Sequence, residues 1–88
     1  MDYRWDPAKD EWLRRARGFG FGDVVEAIRD QRLFANIPNP SAKYPHQHMF
    51  IVEIDGYAVG VPYVADNGTI FLKTAFQGRK FKRRFMEH

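Results

Sequence analysis

No cysteine occurs in this chain of 88 residues, and no run of 18 or more apolar residues is present. The absence of cysteine excludes a disulfide framework, thiolate catalysis, and zinc or iron–sulfur sites that depend on cysteine ligands. No long apolar run and no charged-then-apolar leader is found, so we predict neither a membrane span nor export. We therefore expect a cytoplasmic protein that has no membrane partner.

The composition is typical of a small globular protein. Apolar residues make up 44% of the chain and aromatic residues make up 16%. A chain of this length buries roughly 60–65% of the surface that it exposes when unfolded, so we expect one small core of modest stability. We predict a single domain that spans residues 1–88.

Positive charge is concentrated in the last part of the chain. Residues 69–88 contain six Lys/Arg and one acidic residue, whereas residues 1–68 contain eight Lys/Arg and ten acidic residues. Such a local concentration indicates a polyanionic partner, nucleic acid above all. A disordered basic tail is the alternative, because blocks of charge at chain ends are often unfolded.

Two amphipathic helices are predicted in the first part of the chain. The first spans residues 7–17, because Asp6 can cap a first turn and Pro7 suits the first helical position. Gly18 is placed to end this helix in the left-handed conformation. An apolar stripe at helical spacing predicts the second helix, at about residues 21–33.

Three glycines alternate in the segment GFGFG, residues 18–22. Phosphate-binding loops are also rich in glycine, but no strand precedes this segment and no Gly-Lys-Ser/Thr follows it. We therefore interpret Gly18 as a helix stop and Gly20 as the cap of the second helix.

The remainder of the chain predicts an antiparallel sheet. Residues 34–47 form an irregular connection that contains three prolines, with a short edge strand near Ala35–Ile37. Three β-rich runs follow, separated by Asp-Gly and Asn-Gly, which are signals for tight turns. These runs are residues 49–54, 57–64 and 69–76.

Two further features complete the predicted sheet. Pro62 removes a hydrogen-bond donor from the middle run, so we predict a bulge or bend at Gly60–Pro62. The segment DYRW, residues 2–5, alternates aromatic and charged side chains and predicts another strand. The predicted fold class is α+β: two helices cover one face of a curved, mainly antiparallel sheet, and the other face is left for a partner or substrate.

Three stretches carry a resemblance to a known family. WDPAK (5–9), FGDVVEAI (21–28) and IFLKTAFQGRKFKRRF (70–85) are similar to BrnT-like toxins of type II toxin–antitoxin pairs. The order of elements is similar over about residues 3–84. Members of this family are small ribonucleases with the RelE-like fold, so the resemblance implies that fold here.

The resemblance also implies an activity and a partner. It implies a metal-independent endoribonuclease that cleaves messenger RNA, needs no cofactor and is neutralised by an antitoxin of the ribbon-helix-helix type. The family commonly has a serine and a small residue around the pair that corresponds to Arg79-Lys80. This chain has Gln77-Gly78 before the pair and Phe81 after it, so no role of that serine is carried over.

Cleavage by the ribose 2′-hydroxyl requires proton transfers and cations that meet the extra negative charge of the phosphorane. Arg79 follows the last predicted strand, where its guanidinium can bind two phosphate oxygens, and we predict that it is catalytic and stabilises the phosphorane. Lys73 is the only charged residue in Gly68–Gln77 and is a candidate for proton transfer, with a plain surface position as the alternative. The residues predicted to hold RNA phosphates are Lys80, Lys82, Arg83 and Arg84.

His46 and His48 are further candidates for acid–base catalysis. They fall on one side of the chain if the first meander strand begins one residue early. Two imidazoles without a third ligand do not make a zinc site, so no metal is predicted. Tyr63 is a candidate for stacking on a base, although aromatic residues at alternate strand positions often fill a core.

A second function class remains open. The basic C-terminal segment also suits a non-catalytic RNA- or DNA-binding module that holds phosphates without cleaving the chain.

Overall fold

A computed structural model describes residues 2–87 as one mixed sheet with helices on both of its faces. A third helical segment, residues 79–86, has α geometry at first and then widens into a π turn. The elements in chain order are β1 Asp2–Trp5, α1 Pro7–Arg17, α2 Phe21–Arg29, β2 Leu33–Pro38, β3 His48–Ile54, β4 Tyr57–Asp66, β5 Thr69–Leu72, β6 Phe76–Gln77, α3 Arg79–Phe81 and the π turn Lys82–Met86.

The limits of α1 follow from local signals. The Asp6 carboxylate accepts the N–H of Ala8 at 3.0 Å, and Pro7 occupies the first turn. Gly18 ends the helix with φ of 79°, in the left-handed region that glycine enters without strain. The predicted helix over residues 7–17 is confirmed.

Helix α2 is shorter than predicted, because it ends at Arg29 and the prediction extended to residue 33. Gln31 has φ of 61°, which turns the chain away from the helix axis. Arg32 is already tied to β3: its main-chain carbonyl accepts the N–H of Glu53 at 3.0 Å, and its guanidinium contacts the Glu53 carboxylate at 3.2 Å. The hydrogen bond from the Arg32 guanidinium to the Glu53 carboxylate raises the pKa of Arg32. Pairing with the sheet therefore ends the helix.

The GFGFG segment is a helix connection, as predicted. The amino end of α2 is already occupied by two carboxylates: Asp10 accepts the N–H of Phe21 at 2.7 Å, and Asp23 accepts the N–H of Gly20 at 2.8 Å. A side chain at Gly20 would lie 2.5 Å from the Asp10 carboxylate. The glycine thus permits α1 to approach the start of α2.

The sheet has the strand order β1-β5-β4-β3-β2, and β6 pairs with β4 beyond the end of β5. The β1–β5 pair is parallel and the other pairs are antiparallel. The predicted strand at residues 2–5 and the predicted edge strand near Ala35–Ile37 are both confirmed. The α+β class is also confirmed. Within residues 2–87, no helix is long and apolar enough to cross a membrane.

The predicted bulge at Gly60–Pro62 is wrong, because β3 and β4 pair there without a register shift. The irregularity lies in the neighbouring strand, where the predicted run 69–76 divides into β5 and β6. The Pro62 carbonyl accepts the N–H of Lys73 at 2.8 Å. The N and C=O of one strand residue point to the same side, so the donor that proline lacks also faces this neighbour. Pairing stops there, and Lys73–Ala75 leave the sheet.

Each face of the sheet carries its own apolar cluster. The main core lies between the sheet and the two N-terminal helices. A smaller cluster on the opposite face is built on Met49, Ile51 and Ala58. The side chains that pack against this smaller cluster are Ala35, Ile37, Phe76, Phe81, Phe85 and Met86.

The second face of the sheet is therefore covered by the C-terminal helical segment, and the prediction that it is left free for a partner is wrong. Phe81 packs directly on β4: a side chain at Gly60 would lie 2.7 Å from its ring, and one at Gly78, just before the helical segment, would lie 2.5 Å from it. The charged residues of the segment stay exposed. The segment is thus an amphipathic helix packed on the sheet, and the alternative of a disordered basic tail is not supported.

Replacing Phe81 by alanine should lower the free energy of unfolding by about 2 kcal/mol, which is less than the usual cost of removing a fully buried phenylalanine, because the ring is only partly buried. Chemical denaturation of the purified protein measures this loss. Lys80→Ala, an exposed change in the same turn, should shift stability by less than about 0.5 kcal/mol and serves as the control. Equal stability of the Phe81→Ala variant and the parent would show that the segment does not pack on the sheet.

Candidate nucleic-acid interface

Lys73 is presented by the break between β5 and β6. Its main-chain N–H is held by Pro62, and its ammonium lies 4.6 Å from the centre of the Phe71 ring. The side chain is exposed. Because the backbone is anchored on both sides of the break, Lys73 projects from a fixed position.

A cavity of about 510 Å³ opens beside this break, within the usual volume range of small-ligand sites. We call it the Lys73 cavity. Its second cation is Lys9, from the first turns of α1. Its other polar wall is the loop of residues 39–47. The side chains of this wall that line the cavity are Asn39, Ser41, Tyr44 and Gln47.

Arg17 connects α1 to the same break. Its guanidinium donates a hydrogen bond to the Ala75 carbonyl, a contact between residues far apart in the chain. Arg17 also lines a second cavity, of about 400 Å³, together with Ala16, Phe76 and Gln77. The last turn of α1 therefore supports the segment that carries Lys73.

Arg79 lines a third cavity, of about 290 Å³, which we call the Arg79 cavity. Lys82 supplies a second cation here, one helical turn after Arg79, and Tyr57 supplies an aromatic ring. Gly78 fixes the start of the helical segment, since its N–H donates to the Ala58 carbonyl at 3.1 Å.

The three cavities adjoin one another. The first two share Phe76, and the second and third share Gln77. We call the three cavities together the basic groove. None of the described residues that line it is acidic, and the ion pairs found among residues 2–87 do not involve its cations. These cations are Lys9, Arg17, Lys73, Arg79 and Lys82.

Lys73 and Arg79 do not line the same cavity. The N–H of Lys73 bonds to Pro62, whereas the N–H of Gly78, next to Arg79, bonds to Ala58. These two acceptors lie four positions apart in β4, which corresponds to about 13 Å along a strand. The two side chains are thus placed to meet different parts of one extended ligand.

The two histidines are not part of the groove. Strand β3 does begin one residue earlier than predicted, at His48, but His46 lies in the preceding turn. Both side chains are exposed, and the residue between them, Gln47, is the one that lines the Lys73 cavity. Among residues 2–87, no group of three metal-ligating side chains is close enough to hold a metal ion.

The prediction that Tyr63 stacks on RNA is wrong, because this ring is 6% exposed and belongs to the main core. It stacks on Phe50 with 4.0 Å between the ring centres, and its hydroxyl donates to Asn36. Two other tyrosines are accessible instead: Tyr44 is 50% exposed and Tyr57 is 56% exposed. They lie in the first and third cavities of the groove.

Three of the predicted phosphate contacts lie outside the lining of the groove. Lys80, Arg83 and Arg84 are exposed on the helical segment, whereas Lys82 lines the Arg79 cavity. Sequence reasoning also missed Lys9 and Arg17, because α1 carries no local signal that it borders a site. Only the packing of α1 against the break reveals them.

Fold and site together define a small α+β protein with a basic, aromatic-lined groove. No family model matches the chain, and a search of curated proteins finds no significant match.

Proposed function

We propose that this protein is a RelE-like, BrnT-like toxin that binds single-stranded RNA in the basic groove and cleaves it without a metal ion. The observation that carries the proposal is the groove itself, which brings five cations and no acidic residue together among the residues that line it. Uncompensated cations along a groove attract the phosphate backbone of a nucleic acid. The resemblance of the sequence to BrnT-like toxins supplies the reaction class.

The exposed tyrosines favour a single-stranded ligand. Tyr44 and Tyr57 lie in two different cavities of the groove, each beside two cations. Bases of a single strand are free to stack on aromatic rings while the phosphates contact Lys and Arg. A duplex keeps its bases stacked inside and cannot use these rings.

Lys73 and Arg79 line separate cavities, so we assign them different roles in the reaction. The 2′-hydroxyl gives up its proton to solvent as its oxygen attacks the adjacent phosphorus, the bond from phosphorus to the 5′-oxygen breaks, and the departing 5′-oxygen takes up a proton. Lysine can meet the added charge and can also donate that proton, whereas arginine stays protonated in proteins. We therefore assign the reacting phosphate to Lys73 and a neighbouring phosphate to Arg79.

A cleavage assay in EDTA tests this proposal. Purified protein should cut a single-stranded RNA and leave 2′,3′-cyclic phosphate and 5′-hydroxyl ends, because the 2′-oxygen is the nucleophile. The DNA of the same sequence should bind and stay intact, since it lacks that oxygen. Loss of cleavage in EDTA, or products with 5′-phosphate ends, would contradict the mechanism.

The toxin assignment includes a partner. As the resemblance implies, we propose an antitoxin of the ribbon-helix-helix type that forms a complex with this protein. Production of the protein alone should then arrest growth, and production together with the product of the neighbouring gene should restore it. Co-purification of the two proteins identifies the complex.

A second function has one observation in its favour. Lys73 and Arg79 line separate cavities, and neither histidine reaches the groove, an arrangement that also suits a module that binds RNA or DNA without cleaving it. RNA binding without cleavage, together with normal growth when the protein is produced alone, would establish this alternative.

A further inference from the structure

Two hydrogen bonds fix the orientation of a pair of amides in the wall of the Lys73 cavity. The N–H of Ser41 donates to Oδ1 of Asn39 at 3.0 Å, and Nδ2 of Asn39 donates to Oε1 of Gln47 at 3.2 Å. A main-chain N–H can only donate, so the Asn39 atom that faces it is the oxygen. The NH₂ group of Asn39 then requires an acceptor, and the Gln47 atom that meets it is the oxygen as well.

This chain of bonds leaves the NH₂ group of Gln47 free. Among residues 2–87, no atom accepts a hydrogen bond from Nε2 of Gln47. The loop that carries it is well fixed, because the N–H of Asn39 donates to the Gln47 carbonyl at 2.9 Å and the N–H of Gln47 donates to the Tyr44 carbonyl at 3.1 Å. Gln47 therefore offers two hydrogen-bond donors from a fixed position.

The other groups of the cavity match a nucleotide. The ammonium groups of Lys9 and Lys73 are further donors, while Tyr44 adds an exposed ring beside them. The ammonium groups and the NH₂ group of Gln47 can only donate, whereas the hydroxyl groups of the lining can donate or accept. A ligand must therefore meet the ammonium and NH₂ groups with acceptors. Keto oxygens are the acceptors of uracil and guanine, whereas cytosine and adenine carry amino groups at the corresponding positions.

We propose that the Lys73 cavity is a nucleotide subsite that selects a keto base, uracil or guanine, through the NH₂ group of Gln47. This inference rests on the proposed binding of RNA in the basic groove. Uracil presents O4 where cytosine presents an amino group. The NH₂ group of Gln47 can therefore donate to uracil, whereas with cytosine it faces another donor. The base stacks on Tyr44, and its phosphate lies against the lysines.

Binding of two pyrimidine hexamers tests the preference. 2′-O-methyl hexauridine and 2′-O-methyl hexacytidine have the same charge and similar stacking area, and the blocked 2′-oxygen prevents cleavage. Fluorescence anisotropy should give a Kd about fivefold lower for hexauridine, the effect of roughly one neutral hydrogen bond. Equal affinity of the two hexamers would overturn the inference while leaving RNA binding in the groove intact.

The Gln47→Glu variant makes the test specific for the NH₂ group. The carboxylate of glutamate has the same shape as the amide, and one of its oxygens still accepts from Asn39. Its other oxygen takes the place of the NH₂ group and is an acceptor. The ratio of the two Kd values should therefore move towards hexacytidine, or reverse. Because the added charge weakens both complexes together, only the ratio is compared.

Gln77→Glu is the matched control. Gln77 also lines the basic groove but lies in the other two cavities, so this variant adds the same charge without touching the subsite. It should weaken both hexamers and keep the parental ratio. The same ratio in both variants would overturn the role of Gln47. Failure of both hexamers to bind the parent would overturn the proposed function together with this inference.

Discussion

Replacement of Lys73 by alanine should reduce the rate of RNA cleavage by about 10²-fold or more at saturating RNA, the usual effect of removing a preorganised group from the site of developing charge. RNA binding should weaken much less, because the groove retains four of its cations. Single-turnover cleavage measures the rate, and anisotropy with an uncleavable RNA measures the Kd. The variant should fold normally, since the Lys73 side chain is exposed.

Two further variants separate the roles of Lys73. Lys73→Arg keeps the positive charge but holds its proton, so it should restore binding and leave cleavage slow. Lys43→Ala is the control, because Lys43 is exposed in the same 39–47 loop but does not line the groove. If Lys73→Ala cleaved saturating RNA at the parental rate, the cleavage reaction would not take place in the Lys73 cavity.

The parts of the fold that sequence predicted well are those with local causes. The cap at Asp6, the proline after it and the stop at Gly18 all act within one helical turn, so α1 could be predicted residue by residue. The end of α2 could not, because it depends on the pairing of Arg32 with Glu53, 21 residues further along the chain. A distant strand overrides helix propensity without leaving a local signal.

The high charge of the C-terminal helical segment made its packing on the sheet difficult to predict. Phe81, Phe85 and Met86 recur at helical spacing between the lysines and arginines, which is the pattern of an amphipathic helix. Charge alone predicts a segment that binds phosphates and gives no indication that its apolar side packs on the sheet. Since that side covers Met49 and Ile51, the segment belongs to the fold as well as to the groove.

The candidate site was only partly predictable for a similar reason. Lys73 and Arg79 were found as isolated charges near a strand end, and the structure places both in the groove. The break that carries Lys73 follows from Pro62, whose missing donor interrupts the neighbouring strand and not its own. A proline in a sequence shows that one strand donor is missing. Which neighbouring strand lacks that hydrogen bond is known only when the pairing of the strands is known.

Replacement of Arg79 by alanine should give the opposite pattern to Lys73→Ala. Loss of a charge-assisted contact to phosphate should raise the Kd for uncleavable RNA about tenfold. The rate at saturating RNA should change little, because Arg79 lines a separate cavity. The β4 carbonyls that hold the backbone of Lys73 and that of Gly78, next to Arg79, lie about 13 Å apart. The salt dependence of binding gives a second measurement, since each phosphate contact to a single strand contributes about 0.7 to the log–log slope.

If all five groove cations contact phosphates, the parental slope should be about −3.5 and that of Arg79→Ala about −2.8. Arg29→Ala is the matched control, because Arg29 is exposed at the end of α2 and does not line the groove, so it should keep the parental slope. The decisive comparison is between rate and affinity. If Arg79→Ala instead loses its rate at saturating RNA and keeps its affinity, the reacting phosphate lies at the Arg79 cavity, and Lys73 is the residue that holds the neighbouring phosphate.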